Sequence, residues 1–225
     1  MSIPLPAKVA TGVLVGGTAA AGGSFLYKGT SKPQTYSIKD LLASKNPEKR
    51  LISTSDSGSS AEWKAAWKAY RDTYKDRDSN PFSLTATQLK DSSSDPNAPN
   101  ELISGCKSLF MEQVVDTEGE KYKTVLGYCT RNTLVKDLIL ESNRNLMPES
   151  GGNWGEIWKD YRKANEGKGK DQDTWKLTDW ENKKDQDSSA SDDLPKKCKT
   201  KLETSSGVKT VNDYQDVVNW CSTAK

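Results

Sequence analysis

The two halves of this chain carry the same uncommon residues in the same order. Tryptophans, a tyrosine and an arginine recur at a constant offset of 91 positions, and two cysteines recur at an offset of 92. Such agreement between rare residue types indicates a tandem duplication, in which both copies build the same core. The first copy holds Trp63, Trp67, Tyr70, Arg71, Cys106 and Cys129, and the second holds Trp154, Trp158, Tyr161, Arg162, Cys198 and Cys221.

The duplication divides the 225 residues into four parts. Residues 1–28 form an N-terminal segment, 29–35 a polar linker, 36–131 the first repeat unit and 133–223 the second. A unit of about 90 residues buries only a small core, so it gains stability from extra constraints such as disulfides.

The N-terminal segment contains a run that is long enough to cross a bilayer. Residues 9–27 are 19 positions without a charge, bounded by Lys8 and Lys28. As a helix this run would rise about 28 Å, close to the hydrocarbon thickness of a membrane. We therefore predict one uncleaved transmembrane helix, and the alternative is a signal peptide cleaved after Ala21.

The spacing of apolar residues predicts that both units are mainly α-helical. Trp63, Trp67 and Tyr70 lie at i, i+4 and i+7, on one face of a helix, with Ser59 as its predicted N-cap. Asn153 is the predicted N-cap of the second copy. A short helix near 38–42 and 135–139 opens each unit, a helix with the second cysteine closes it, and residues 109–115 fit either helix or strand.

The four cysteines permit three pairings, and the duplication selects one of them. If each unit is a self-sufficient copy, the disulfides are Cys106–Cys129 and Cys198–Cys221. Each bond would contribute about 3 kcal/mol to the stability of its unit. Disulfides indicate an oxidising compartment, which agrees with an anchor that leaves the rest of the chain outside the cell. Four free thiols in a reducing cytosol are the alternative.

Several classes of chemistry are excluded by composition. The chain has no histidine, so it has neither a Ser-His-Asp triad nor an imidazole metal ligand. The cysteines lack the close spacing of zinc ligands. The 33 basic and 31 acidic residues form no basic stripe, which argues against a nucleic-acid partner. We predict no catalytic, cofactor-binding or metal-binding residues; a carboxylate-dependent hydrolase is the enzymatic alternative.

The repeated aromatic face has two interpretations. A buried core stripe is favoured because helical spacing is what a core requires, and a platform that stacks on sugar rings is the alternative. Of the other tryptophans, Trp175 aligns with Phe82 and is predicted to be buried. Trp180 is the tryptophan that we expect to be exposed.

The repeated arginines and a glycine-lysine run are the remaining candidates for a site. Arg71 and Arg162 are predicted to pair with Asp40 and Asp137 or to lie over a core tryptophan, rather than to capture an anion. Residues 166–170 lack the spacing of a phosphate-binding loop and are predicted to be a solvated loop.

Both cysteine pairs finish in an aromatic-Cys ending, and an apolar segment precedes them. The endings are Gly127-Tyr128-Cys129-Thr130 and Asn219-Trp220-Cys221-Ser222. This arrangement resembles the paralogous families of small, membrane-anchored proteins of haemotropic mycoplasmas, the wall-less bacteria that live on red blood cells. The resemblance implies surface exposure, and host contact or antigenic variation, and it implies no catalytic residues. The internal duplication is clearer here than the family pattern requires.

These observations predict a non-enzymatic protein of the cell membrane, with a single membrane pass and most of its chain outside the cell. Its expected partners are the membrane, through the N-terminal helix, and a host-surface protein or glycan. It is expected to need no cofactor and no metal. A self-associating structural protein of the surface is a further alternative.

Overall fold

The computed structural model describes residues 33–91, 93, 96–186, 189–205 and 214–225. Residues 34–225 form one compact unit in which helices predominate and the strands are short. Within these ranges no helix combines the length and the apolar character that a bilayer crossing requires. The predicted transmembrane segment lies outside the described residues. Below, the first half is residues 34–132 and the second half is residues 133–225.

The tryptophan helix of the first half forms as the aromatic spacing predicts, but its cap differs. The N-cap is Ser60 rather than Ser59, because the Ser60 side chain accepts a hydrogen bond from the Trp63 N–H. The Ser59 hydroxyl instead bonds that of Ser57. The helices are α1 (Ile38–Lys45), α2 (Ala61–Tyr74), α3 (Ala86–Leu89), α4 (Asn100–Phe110) and α5 (Glu120–Tyr128).

The corresponding helix of the second half begins after its first tryptophan, whereas α2 begins before Trp63. Trp154 is its N-cap, whereas Trp63 lies inside α2. Asn153 is therefore not the N-cap, and its side chain accepts a hydrogen bond from the Gly155 N–H. The helices are α6 (Val135–Glu141), α7 (Gly155–Ala164), α8 (Trp180–Lys183), α9 (Leu194–Leu202) and α10 (Tyr214–Cys221).

Short antiparallel strand pairs join the early part of each half to its later part, and the sequence left only residues 109–115 open to strand. In the segment 109–115, helix α4 ends at Phe110 and a strand follows it. An isolated bridge also joins Leu134 to Ser205. The strand pairs are β1 (Tyr36–Ser37) with β3 (Gln113–Val114), β2 (Lys49–Leu51) with β4 (Thr130–Asn132), and β5 (Arg144–Leu146) with β6 (Ser222–Ala224).

Both predicted disulfides are present. Cys106–Cys129 joins α4 to the end of α5, with 5.6 Å between the Cα atoms. Cys198–Cys221 joins α9 to α10, with a Cα separation of 5.4 Å. All four cysteines are thereby bonded, and each bond lies within one half. The cross-links hold the last two long helices of each half together.

The buried hydrophobic side chains form two clusters, one in each half. The six repeated aromatic residues lie at their centres, where none exposes more than 7% of its surface. The expectation that Trp180 is exposed is wrong, because its exposure is 2% and its ring packs against Trp158 and Tyr161. The six central residues are Trp63, Trp67, Tyr70, Trp154, Trp158 and Tyr161.

The two halves meet without a linker. Thr133 is fully buried at their junction, where its N–H donates to the Glu48 carbonyl and its hydroxyl donates to the Pro47 carbonyl. An ion pair of 2.9 Å between Arg50 and Glu141 also crosses the junction. These contacts explain why residues 34–225 form one compact unit.

Candidate functional site

The described part of the chain contains no cluster of three or more metal-ligating side chains. Because every cysteine is in a disulfide, no thiol is available as a nucleophile.

A buried tyrosine organises the turn that follows the tryptophan helix in each half. In the second half, the Tyr161 hydroxyl donates to Asp173 Oδ2 at 2.5 Å and accepts from the Trp175 N–H at 2.9 Å. Asp173 Oδ2 also accepts from the Leu177 N–H. Burial, followed by the hydrogen bond to Asp173, raises the pKa of Tyr161 far above its usual value. The neutral phenol thus serves as a structural donor.

The first half makes the same contacts with a neutral partner. The Tyr70 hydroxyl donates to Asn80 Oδ1 at 2.7 Å and accepts from the Phe82 N–H at 3.1 Å. Asn80 Oδ1 then accepts from the Leu84 N–H. Burial raises the pKa of Tyr70 to about 12. Neither anchor has a shared signal in the sequence, because the partners Asn80 and Asp173 lie at different spacings from their tyrosines.

The repeated arginines lie over tryptophan rings and not against the predicted aspartates. Arg71 is 5.5 Å from the Trp67 ring centre, and Arg162 is 6.0 Å from that of Trp158. The prediction that these arginines lie over a core tryptophan is therefore confirmed, and the alternative pairing with Asp40 and Asp137 is not formed. The Asp40 carboxylate bonds the Ser37 hydroxyl, and Asp137 forms its ion pair with Arg131.

Each arginine also donates to a backbone carbonyl of the loop that passes beside it. Arg71 donates to the Asp91 carbonyl at 2.5 Å, and Arg162 donates to the Lys184 carbonyl at 3.1 Å. The ring below and the carbonyl beside it orient each guanidinium.

A cleft of about 600 Å³ lies beside Arg162 in the second half. Its rim comes from the end of α7, the glycine-lysine run that follows it, and the end of α8. The lining includes five cationic residues and two acidic ones. The cationic residues are Lys159, Arg162, Lys163, Lys168 and Lys184, and the acidic ones are Glu166 and Asp185.

Hydrogen bonds to buried side chains fix the conformation of the glycine-lysine run, which was predicted to be a solvated loop. Asn165, fully buried at the end of α7, accepts at its Oδ1 from the Thr174 N–H at 2.7 Å and from Lys168 Nζ at 2.9 Å. Gly167 takes a φ of +76°, which favours glycine. The Trp180 indole N–H donates to the Lys168 carbonyl at 3.1 Å. These bonds hold the wall of the cleft in place.

The equivalent surface of the first half also has a cleft, of about 500 Å³, whose lining includes Lys64, Lys68 and Arg71. Lys68 corresponds to Lys159, but Asp72 stands where the second half has Lys163. Lys68 and Asp72 form an ion pair of 2.6 Å along the helix. The loop beside the arginine likewise presents Asp91 where the second half presents Lys184.

Some lysines of the cleft have exposed acidic neighbours outside its lining. Lys159 contacts Glu156 at 2.7 Å, and Lys184 contacts Glu181 at 2.9 Å. Exposed pairs of this kind contribute about 0–1 kcal/mol and exchange readily for another anion. With these two neighbours counted, five cations and four acids surround the cleft.

The lining of the cleft includes none of the four cysteines and none of the six repeated aromatic residues of the core. Its signal in the sequence was the spacing of Lys159, Arg162 and Lys163 at i, i+3 and i+4, which places three cations on one helix face.

Comparison with known proteins finds no matching family model, no matching curated protein and no matching solved structure.

Proposed function

We propose that this chain is a non-enzymatic binding protein of the cell surface, anchored by residues 1–28 and facing outward. The observation that carries the proposal is the pair of disulfides, Cys106–Cys129 and Cys198–Cys221. Disulfides persist in oxidising compartments and are rare in the cytosol. The uncharged run at 9–27 supplies a means of attachment to the membrane.

The proposal includes a tandem duplication, with unit one at 36–131 and unit two at 133–223. Equivalent backbone hydrogen bonds support it. At the opening of each unit, the Ile38 N–H donates to the Glu112 carbonyl, and the Val135 N–H donates to the Thr204 carbonyl. Beside the closing cysteines, the Ile52 N–H donates to the Cys129 carbonyl, as the Met147 N–H does to the Cys221 carbonyl.

The proposed partner is a component of the host cell surface, either a protein or a glycan. This part of the proposal depends on the resemblance to the surface families of haemotropic mycoplasmas and on the proposed compartment. A binding role also agrees with the absence of histidine.

Two measurements test the proposed function. Protease added to intact cells is expected to remove the chain after residue 33 while the membrane protects the N-terminal segment. Full-length protein in nanodiscs is expected to bind erythrocyte membranes, whereas empty nanodiscs do not. Protection of the whole chain from protease, or repeated pull-downs that recover no erythrocyte component, would contradict the proposal.

The competing functions make different demands on the molecule. A carboxylate-dependent hydrolase needs two acids that face each other across a cleft, whereas the cleft beside Arg162 is lined mainly by cations.

A self-associating structural protein should change its mass with concentration, which light scattering measures. A concentration-independent mass equal to one chain in its nanodisc would speak against that role.

A further inference from the structure

We propose that the cleft beside Arg162 binds a sulfated glycan chain, with Lys163, Lys168 and Lys184 contacting the sulfate groups. The inference depends on the proposed function as an outward-facing binding protein, and it specifies the chemical class of the ligand. It places the binding in the second half, where Lys163 stands in place of the Asp72 of the first half.

Size and charge support this ligand class. The cleft volume of about 600 Å³ lies within the range of pockets that hold small organic ligands, about 300–1,000 Å³. Five cations and two acids line it, so its surplus charge is positive. A sulfated sugar presents several fixed negative charges within one or two rings, which matches several cations around one cavity.

The cationic side chains are held close to a binding arrangement. Arg162 and Lys163 lie in the last turn of α7, where the negative end of the helix dipole favours cations, and Lys159 lies on the same face. The ring of Trp158 and the Lys184 carbonyl orient the Arg162 guanidinium. Lys168 is held by Asn165 and Thr174. Preorganised donors lose less conformational entropy on binding, which increases affinity.

The shape of the site favours a glycan over an anionic membrane. The cations surround a concavity whose walls are α7, the turn at 166–170 and the end of α8. A flat lipid surface reaches only the rim of such a cavity, whereas a flexible sugar chain enters it. The cleft beside Arg71 in the first half has no counterpart of Lys163, because Asp72 stands at that position and pairs with Lys68.

The test uses the full-length protein in nanodiscs of neutral lipid, with a heparin-derived octasaccharide and its desulfated form as probes, measured by calorimetry. The variant Lys163→Gln with Lys184→Gln removes two cations from the cleft. The matched control, Lys90→Gln with Lys107→Gln, removes two exposed cations from the first half. Both variants carry the same net charge, and Lys163→Gln alone is the backup if the double variant unfolds.

We expect one sulfated octasaccharide to bind per chain, and its affinity to fall about tenfold or more in the cleft variant because charge-assisted hydrogen bonds are lost. The control variant should keep the original affinity, and the desulfated probe should not bind.

Other results would overturn the inference. These are an equal loss in both variants, binding of the desulfated probe with the same affinity, or charge-dependent binding to phosphatidylserine vesicles that the cleft variant loses in place of glycan binding. Failure to bind the octasaccharide, by protein that still binds erythrocyte membranes, rejects the glycan site and leaves the proposed function intact. Loss of erythrocyte binding together with retained octasaccharide binding rejects the proposed function instead.

Discussion

The two halves agree in their cores and differ on the surface beside the repeated arginine. Arg71 and Arg162 lie over equivalent tryptophans and donate to equivalent loop carbonyls. Next to them, the first half carries Asp72 and the second half carries Lys163. Close packing limits what a buried position accepts, whereas an exposed position tolerates a reversal of charge. A difference in function between the halves is therefore to be sought on this surface.

A second difference lies inside the core, at the tyrosine anchor. Tyr70 bonds the neutral Asn80, whereas Tyr161 bonds the carboxylate of Asp173, which exposes 2% of its surface. The other carboxylate oxygen of Asp173 is buried without a hydrogen-bond partner among the described residues. The second half thus depends more strongly on its tyrosine, because a buried charge is costly to leave unpaired.

The largest effect is expected from removing a central tryptophan. Trp67→Ala and Trp158→Ala should each lower the free energy of unfolding by about 3–5 kcal/mol, since both rings are buried in equivalent clusters. Urea denaturation followed by circular dichroism measures both losses. If one of the two variants lost less than about 1 kcal/mol of unfolding free energy, the two cores would not be equivalent.

Removing one disulfide should have nearly the same effect in either half. Each bond closes a loop with a sequence separation of 23, so Cys106→Ser with Cys129→Ser, and Cys198→Ser with Cys221→Ser, should each cost about 3 kcal/mol. Thermal unfolding of the two double variants makes the comparison. A bond that joins one half to the other, found by peptide mapping without reductant, would contradict the pairing.

Removing the hydroxyl of the anchoring tyrosine should distinguish the halves. Tyr161→Phe deprives the buried Asp173 of a donor and should cost about 2–3 kcal/mol, whereas Tyr70→Phe should cost about 1 kcal/mol. The two variants are compared by urea denaturation at neutral pH. Equal losses would show that the charge of Asp173 does not matter for the anchor.

The same tyrosines predict a loss of stability at alkaline pH. Burial raises the pKa of Tyr70 from 10.0 to about 12, so the folded state holds this proton more tightly than the unfolded state. The stability that this group contributes is complete below pH 10 and is lost as the pH rises towards 12. Tyr70→Phe should make the decline over this window shallower, and denaturation at several pH values measures it. An unchanged slope would reject the assignment.

The smallest effect on stability is expected from reversing charge on the surface of the first half. Asp72→Lys with Asp91→Lys gives this surface the charges of the second half and removes one exposed ion pair, which costs about 0.3–0.5 kcal/mol. The same variant should bind the sulfated octasaccharide more tightly than the original chain, as calorimetry would show. No gain in affinity would mean that the shape of the second cleft, beyond its charge, is required.

The elements that the sequence predicted are those with a local signal. The spacing of Trp63, Trp67 and Tyr70 predicted α2, because a helical face repeats every three or four residues. The shared cysteine spacing predicted both disulfides. The predicted N-cap was one residue away from Ser60, because neighbouring serines have the same preference for the N-cap position. The hydrogen bond from the Trp63 N–H identifies Ser60 as the cap.

The sequence by itself determined the helical character of the described chain, the cysteine pairing and the absence of histidine chemistry, because each follows from spacing or composition along the chain. Only the tertiary structure decided that Trp180 is buried, that Asn80 and Asp173 anchor the tyrosines, and that the lysines of α7, the turn and α8 surround one cleft. These features join residues from separate segments, and which segments meet depends on how the whole core packs.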